Sequence, residues 1–398
     1  MKKNILFVCA SLKVGGAEKS LVNLLNMMDY MRYSVDLLLF QNQGEFLEQV
    51  PEDVHIIECG KMMKALYDKV PKTPDNISMT IYKYIATVVE RLKHSAYDDL
   101  RAHRWVRFYK KVCEPLEKDY DVAVAFQSGE PSYFVMDKVQ AKRKVTYFHT
   151  DISNIELAYD LEYDYLRKFD LIVTISEKCV ASIVKYFPEF SNKTVSLENP
   201  SSSEFVKKLA GNNIPKEYEQ YKQAIKIVSV GRLVNIKGYD MAIDAAKILV
   251  DKGYDIQWFF IGEGVERKKL KKQIEDLQLE NNCHLLGLKS NPYPYIRYAD
   301  ILVQSSRYEG KSVVLDEAKI LEKLIVVTNY NSVEDQIEHE VNGLIAEMSE
   351  TGIADAIERI VGDKNLVSSI IDNYVGEVMK VTEKEKIEIY CNKIIEGV

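Results

Sequence analysis

The sequence predicts an α/β protein made of two doubly wound domains, and three observations carry that prediction. Short runs of Val, Ile, Leu and Phe alternate with stretches of helical spacing. The alternation occurs twice, and a polar segment from Pro200 to Gln223 separates the two rounds and reads as a linker. The runs are continuous rather than alternating, as strands buried on both faces of a parallel sheet require. At 398 residues the chain is long for one core and comfortable for two domains of roughly 150 to 200 residues.

The first round opens with a strand over Asn4–Ala10, a glycine loop, and a helix over Ala17–Met28. In that helix Leu21, Leu24, Leu25 and Met28 recur at helical spacing. Further strands are expected over Ser34–Phe40, Val54–Glu58, Asp121–Phe126, Lys144–His149, Asp170–Ser176 and Lys193–Leu197. A long helical stretch, Asn76–Glu117, lies between the third and fourth, with Arg101, Arg104, Trp105, Arg107, Phe108, Tyr109, Lys110 and Lys111 inside it. The second round has strands over Ile225–Val230, Ile256–Gly262, His284–Gly287, Asp300–Ser305 and Leu324–Thr328. Its helices fall near Tyr239–Lys252, Glu266–Leu279 and Ser312–Leu321. The domains are accordingly expected at 1–200 and 201–379. Ligands of such sheets bind outside the carboxyl ends of the strands, so the expected site is a cleft between two facing domains.

Composition narrows the function. Hydrophobic residues make up 46% and charged residues 28%, the balance of a globular protein. A net charge of −7 disfavours nucleic acid as a partner. The six cysteines form no C-x-x-C pair and no zinc-like spacing with the histidines, so a reducing cytoplasm is the expected setting. The apolar run Ile5–Ala10 is too short for a signal peptide or for a spanning helix of about 20 residues.

Four constellations could carry chemistry. Gly231-Arg232-Leu233 with Lys237-Gly238 follows a strand, and an arginine and a lysine in one loop can converge on a diphosphate; a solvated basic turn would look the same. Glu309 and Glu317 stand eight apart, with Gly310, Lys311 and Ser312 after the first. Their carboxylates can accept bonds from sugar hydroxyls, and the helix start beside them is an anion site, though E-x7-E also arises by chance. Val14-Gly15-Gly16-Ala17-Glu18 joins the first strand to the first helix and permits close backbone approach, but it is not G-x-G-x-x-G. His149-Thr150-Asp151 ends a strand, where the histidine can polarise a substrate or simply be buried. The other histidines show no paired spacing and read as structural.

In this order the pieces resemble the retaining glycosyltransferases of family 4, which have the GT-B fold of two Rossmann-like domains. The resemblance covers nearly the whole chain and is specific mainly from Val230 to about Ala346: G-R-L-x3-K-G, Gly262-Glu263-Gly264, E-x7-E and Val341-Asn342-Gly343-Leu344. It implies that Arg232 and Lys237 hold the donor diphosphate, Glu309 contacts the transferred sugar and Glu317 binds the ribose. It also implies that Leu288 lies against the base, Gly15 and Gly16 close over the diphosphate or acceptor, and His149 meets the donor sugar. The closing helix near Glu383–Ile395, within 380–398, is expected to cross back to the first domain, as in similar proteins. Lys311 and Ser312 replace a common aromatic residue and glycine, Val265 replaces a frequent proline, and Asn331-Ser332-Val333-Glu334 lacks paired glycines.

The expected reaction is transfer of a hexose-type sugar from a nucleotide-diphosphate sugar, UDP-linked, to a glycan or lipid-linked acceptor in bacterial surface polysaccharide synthesis. With Arg and Lys supplying charge, neither metal nor cofactor is expected. The Arg101–Lys111 stretch reads either as a contact for an anionic membrane or as a solvated helix with Trp105 and Tyr109 packed inward. The rivals are a GT-B epimerase or phosphorylase, and a silent glycan- or nucleotide-binding partner of another transferase.

Overall fold

The computed structural model describes residues 2–13, 15–67, 74–93, 99–197, 202–377 and 383–397. The chain divides into two compact units, Met1–Pro200 with Lys386–Val398, and Ser201–Glu385. The first unit holds seven strands: β1 (Lys3–Cys9), β2 (Tyr33–Leu39), β3 (Val54–Glu58), β4 (Tyr120–Ala125), β5 (Ala141–Phe148), β6 (Leu171–Thr174) and β7 (Thr194–Ser196). They lie in the order β3-β2-β1-β4-β5-β6-β7, and every pairing is parallel. The second unit holds β8 (Ile225–Val230), β9 (Ile256–Ile261), β10 (Cys283–Gly287), β11 (Ile301–Gln304), β12 (Leu324–Thr328) and β13 (Leu344–Ala346). Their order is β10-β9-β8-β11-β12-β13, again all parallel.

Each sheet reverses its strand order once, beside β1 in the first unit and beside β8 in the second. On either side of such a reversal the connections run over opposite faces, which opens a crevice at the carboxyl ends of the two strands there. β9 shows why the sheets need cover on both faces. All six residues of Ile-Gln-Trp-Phe-Phe-Ile are buried. Trp258 and Phe260 enter one apolar cluster while Phe259 and Ile261 enter the other, the two-residue period of a pleated strand. Burying each such side chain contributes about 1.5–3 kcal/mol. The indole N–H of Trp258 donates to Ser229 Oγ (3.0 Å), which in turn donates to the Val303 carbonyl (2.7 Å), so this large core residue is satisfied.

Two expectations change. The supposed linker, Pro200–Gln223, carries a helix over Ser203–Ala210, capped by Ser202 Oγ accepting from the Phe205 N–H at 3.1 Å. Val206, Ala210 and Tyr218 are buried in the core of the second unit. The polar stretch around it masked a short amphipathic helix; Pro200 and Ser201 lie outside the described residues. The Asn76–Glu117 stretch is not one helix. It comprises Pro74–Lys93 and then a run of Leu100–Arg104, a π-helical turn Trp105–Tyr109 and Lys110–Val112, with 94–98 outside the described residues. The second piece starts at Asp99, whose carboxylate accepts the Arg101 N–H (2.9 Å).

The last segment belongs to the first unit. Arg143 donates to the carbonyls of Lys393 and Ile394, both at 3.0 Å, while Tyr390 bonds Tyr147 and Lys3 pairs with Glu396. All six cysteines are buried and none is in a disulfide. Among the described residues no helix is long and apolar enough to cross a membrane.

Candidate active site

The loops that leave β8 and β11 flank the strand reversal of the second unit, and their side chains meet there. Lys237 Nζ donates to Glu309 Oε1, and Ser306 Oγ donates to the same oxygen at 2.7 Å. Ser332 Oγ fixes the Glu309 carbonyl (2.7 Å) and Ser305 Oγ the Lys237 carbonyl (2.9 Å). The pair retains partial side-chain exposure, 20% for Lys237 and 14% for Glu309, so an incoming anion can compete for the lysine. Arg232 is exposed and makes no side-chain hydrogen bond or ion pair among the described residues.

Glycine is what lets these loops close on one another. Gly238 has φ +63°, and a Cβ there would lie 2.0 Å from the Ser305 carbonyl oxygen. At Gly262 a Cβ would lie 1.9 Å from the Gly231 carbonyl oxygen. The backbones after β8, β9 and β11 are therefore in direct contact, and any side chain at those positions would separate them.

The Gly310–Ser312 segment is held by residues that the sequence did not single out. Gln336 accepts the Ser312 N–H (2.6 Å), donates to the Ser312 carbonyl (2.8 Å) and donates to Asp316 (3.1 Å). Ser312 Oγ donates to Gln304, whose amide reaches the Tyr330 hydroxyl at 3.3 Å. Ser312 precedes the helix Val313–Ile320 without capping it through its side chain. Glu317, within that helix, is fully buried and accepts the Tyr293 hydroxyl (3.0 Å). Burial and the Glu317 carboxylate both raise the Tyr293 pKa. Leu288 follows Gly287 (φ +73°) and is 37% exposed. Arg307 braces the 235–237 turn, donating to the Asn235 carbonyl (2.7 Å) and forking onto Asp240 at 2.8 Å twice. Burial works against ionisation of Asp240, yet the Arg307 bonds hold it below the usual carboxylate range.

At the reversal in the first unit the chemistry is of another kind. Gln127, just past β4, accepts the Ala10 N–H (3.1 Å) and donates to Glu18 (2.7 Å), bridging the ends of β1 and β4 to the helix Gly16–Met27. Gly15 precedes that helix and Gly16 begins it; Val14 lies outside the described residues. His149 stands one residue beyond β5, with Nε2 2.8 Å from the Phe126 carbonyl and its ring stacked on Tyr147 at 5.4 Å. Burial pushes its pKa down to about 4, only partly offset by the Phe126 carbonyl, so the ring is neutral at neutral pH. A carbonyl can only accept, so Nε2 carries the proton and Nδ1 is left as an acceptor. Nδ1 is buried and has no hydrogen-bond partner among the described residues. Asp151 instead accepts the Ser153 N–H at 2.9 Å and the Ser182 hydroxyl at 2.5 Å, tying its loop to the helix Glu177–Tyr186.

The basic and aromatic stretch turns its rings inward. Trp105 and Tyr109 are buried, and the Trp105 indole and Tyr165 hydroxyl both donate to Asp137, at 2.9 and 2.6 Å. Arg101 forks onto Asp99 at 3.0 and 3.1 Å, Lys110 pairs with Asp137 at 2.7 Å and Arg107 with Glu90 at 3.1 Å. Beside this stretch Tyr67 donates to the half-buried Glu130, whose pKa burial raises against the Tyr67 bond and the nearby Arg104, Arg101 and Lys83. The remaining histidines include His284, bonded to Gln257 at 2.7 Å, and His339, which accepts the Ile345 N–H at 2.9 Å; His94 lies outside the described residues.

Two doubly wound parallel sheets, each with its candidate residues at the carboxyl ends beside the strand reversal, define a protein of the GT-B fold. Residues 212–374, all within the second unit, match the family described as Glycosyl transferases group 1. A poly(ribitol-phosphate) alpha-N-acetylglucosaminyltransferase of Staphylococcus aureus is 32% identical over 177 residues, 42% of this chain and 35% of that protein. The chain thus aligns with about a third of that relative's length. The N-acetylgalactosamine-N,N'-diacetylbacillosaminyl-diphospho-undecaprenol 4-alpha-N-acetylgalactosaminyltransferase of Campylobacter jejuni is 26% identical over 346 residues, 83% of this chain and 82% of that protein. Among solved structures, Anabaena Alr3699/HepE in complex with UDP and glucose superposes with a TM-score of 0.71 at 17% identity, covering all of both chains.

Proposed function

We propose that the chain is a retaining, metal-independent glycosyltransferase that moves a hexose-type sugar from a UDP-sugar to a glycan or lipid-linked saccharide in bacterial surface polysaccharide synthesis. The observation that carries this reading is the Lys237–Glu309 contact at the strand reversal of the second unit, with Arg232 exposed in the same loop. Breaking a sugar–phosphate bond builds negative charge on the departing diphosphate. Lys237 and Arg232, fixed in place beforehand, act where that charge develops. When the diphosphate engages Lys237, Glu309 is freed toward the sugar. Glu317 takes the ribose, Leu288 lies against the base, and the uncapped start of Val313–Ile320, behind Gly310, Lys311 and Ser312, faces the phosphates. With these cations in place the leaving group needs no metal, and the departing phosphate oxygen takes the acceptor's proton.

In the first unit Gly15 and Gly16 allow close approach, and His149, neutral and with an unused acceptor, receives a bond from a sugar hydroxyl. Support comes from the UDP and glucose held by the Anabaena protein. The relatives' names add two alpha-linked transfers and an undecaprenol-diphosphate acceptor. Six buried cysteines with no disulfide among them support a cytoplasmic setting. Membrane contact by the Arg101–Lys111 stretch is proposed for its outward residues, Arg107 and Lys111 among them.

Calorimetric titration of UDP, GDP, ADP and their sugars, with and without EDTA, tests the donor site. One nucleotide series should bind, unaffected by EDTA, and binding should be lost in Lys237→Ala. No binding by any nucleotide would remove the transferase reading.

A further inference from the structure

We propose that the helix Pro74–Lys93 is a docking surface for an anionic lipid bilayer, lying in the membrane interface with Ile77, Ile81, Tyr84, Ile85, Val88 and Leu92 toward the acyl chains. Each of these six is between 37% and 83% exposed. At about 100° per residue they fall within one arc of roughly 100°, so they form a single stripe and not scattered surface residues. From Ile77 to Leu92 the stripe runs about 22 Å at 1.5 Å per residue. Isolated exposed apolar residues are ordinary; a contiguous stripe of six is not.

The other side of the helix is well anchored, so the stripe is not the result of a loosely placed element. Ala86 and Glu90 are fully buried, the Tyr82 hydroxyl donates to the Phe108 carbonyl (3.1 Å), and Arg104 donates to Thr87 (3.1 Å). These bonds fix the helix against the run Leu100–Val112 and direct the apolar arc outward.

Charge selects the partner. From Ile77 onward the exposed charged residues of this helix are Arg91 and Lys93, and the carboxylate within that span, Glu90, is buried against Arg107. The chain as a whole is acidic, at −7, yet from Ile77 to Lys93 the exposed charges of this helix are both cations, and Arg91 borders the apolar stripe. That pattern fits an interfacial amphipathic helix on anionic lipid, with the Tyr84 ring at headgroup depth. The stripe owes nothing to the donor site, so its test is separate from that of the proposed transfer reaction.

The experiment is co-sedimentation of the full chain with phosphatidylglycerol-containing vesicles and with pure phosphatidylcholine vesicles, in the absence of any substrate. The wild type should bind the anionic vesicles, and Ile81→Asp/Leu92→Asp should weaken binding at least about tenfold. Arg91→Glu/Lys93→Glu should weaken it several-fold and remove its salt sensitivity. Trp105 and Trp258 are both buried, so Tyr84→Trp adds a new reporter whose emission should shift to the blue on anionic vesicles. Far-ultraviolet circular dichroism and the thermal unfolding midpoint of each variant serve as the folding control. Wild-type sedimentation that ignores anionic lipid, or an unaltered Ile81→Asp/Leu92→Asp variant, would overturn the proposal. So would a wild-type dimer in light scattering that those two substitutions dissociate while vesicles are ignored, since the occupant would then be a second copy.

Discussion

The two strand reversals occupy the same place in their sheets and hold opposite chemistry. Beside β8 the side chains are charged and partly exposed: Lys237 paired with Glu309, Arg232 in the open, Arg307 forked onto Asp240. Beside β1 and β4 a neutral glutamine, Gln127, bridges to the Glu18 carboxylate, and an imidazole stands nearby whose proton is lost well below neutrality. On the reading proposed above, the crevice beside β8 receives the donor's diphosphate and the one beside β1 receives hydroxyl groups.

The largest expected effect tests the charged side. Lys237→Ala or Glu309→Ala should lower turnover about 100-fold or more, a barrier increase of about 2.7 kcal/mol. Rates within a few-fold of wild type would show that the charges are merely structural. Next, Gly238→Ala should cost roughly 2–4 kcal/mol of stability, because φ is positive and a Cβ would meet the Ser305 carbonyl at 2.0 Å. Gly16→Ala offers the contrast: nothing lies within 4 Å of a Cβ there. Its thermal stability should change by less than about 0.5 kcal/mol, so lost turnover in that variant would report a ligand approaching the loop.

The buried titrating groups of the first unit sharpen the comparison through pH. His149 has its folded pKa lowered from 6.5 to about 4, so stability is full above 6.5 and is lost as pH falls toward 4. His149→Phe should flatten that limb of the stability profile, by roughly 1–2 kcal/mol for a partly buried ring. Glu162, buried beside Tyr133, has its pKa raised from 4.5 to about 7, chiefly by burial. Its sign is reversed: stability is full below 4.5 and lost as pH rises through 7. Glu162→Gln should therefore gain stability relative to wild type at pH 8 and nothing at pH 4. Chemical denaturation across pH separates the two, and parallel profiles for both variants would contradict the assignment.

The difference between the crevices also explains what could be read from the chain alone. Around β8 the message is local: glycine, arginine, lysine and glycine within eight residues, then two glutamates at fixed spacing. The backbone needs glycine at Gly238 for steric reasons that leave a mark in sequence. Around β1 the determinants are distant from one another. Gln127 meets Glu18, and Tyr67 meets Glu130, only because β4 threads in beside β1. A single glutamine in Phe126-Gln127-Ser128-Gly129 gives no sign of that role. Gln336 was missed for the same reason, since its pairing with Ser312 is made by the fold and not by any motif. Strands were legible because a sheet covered on both faces demands continuous apolar runs. The helix Ser203–Ala210 was not, because two helical turns set in a polar stretch are too short for their period to stand out.

The return of Lys386–Val398 to the first unit has a consequence for how the protein is made. The chain begins one unit, completes another, and then comes back. A ribosome working from the amino end would release every strand of the first sheet early, yet Arg143 would wait for the carbonyls of Lys393 and Ile394 until some 250 further residues had followed. The second unit, contiguous in sequence, can close in the interval. The unit started first is therefore the one finished last, and lesions in the final segment should be felt at Tyr147 and Arg143 rather than at the Lys237–Glu309 pair.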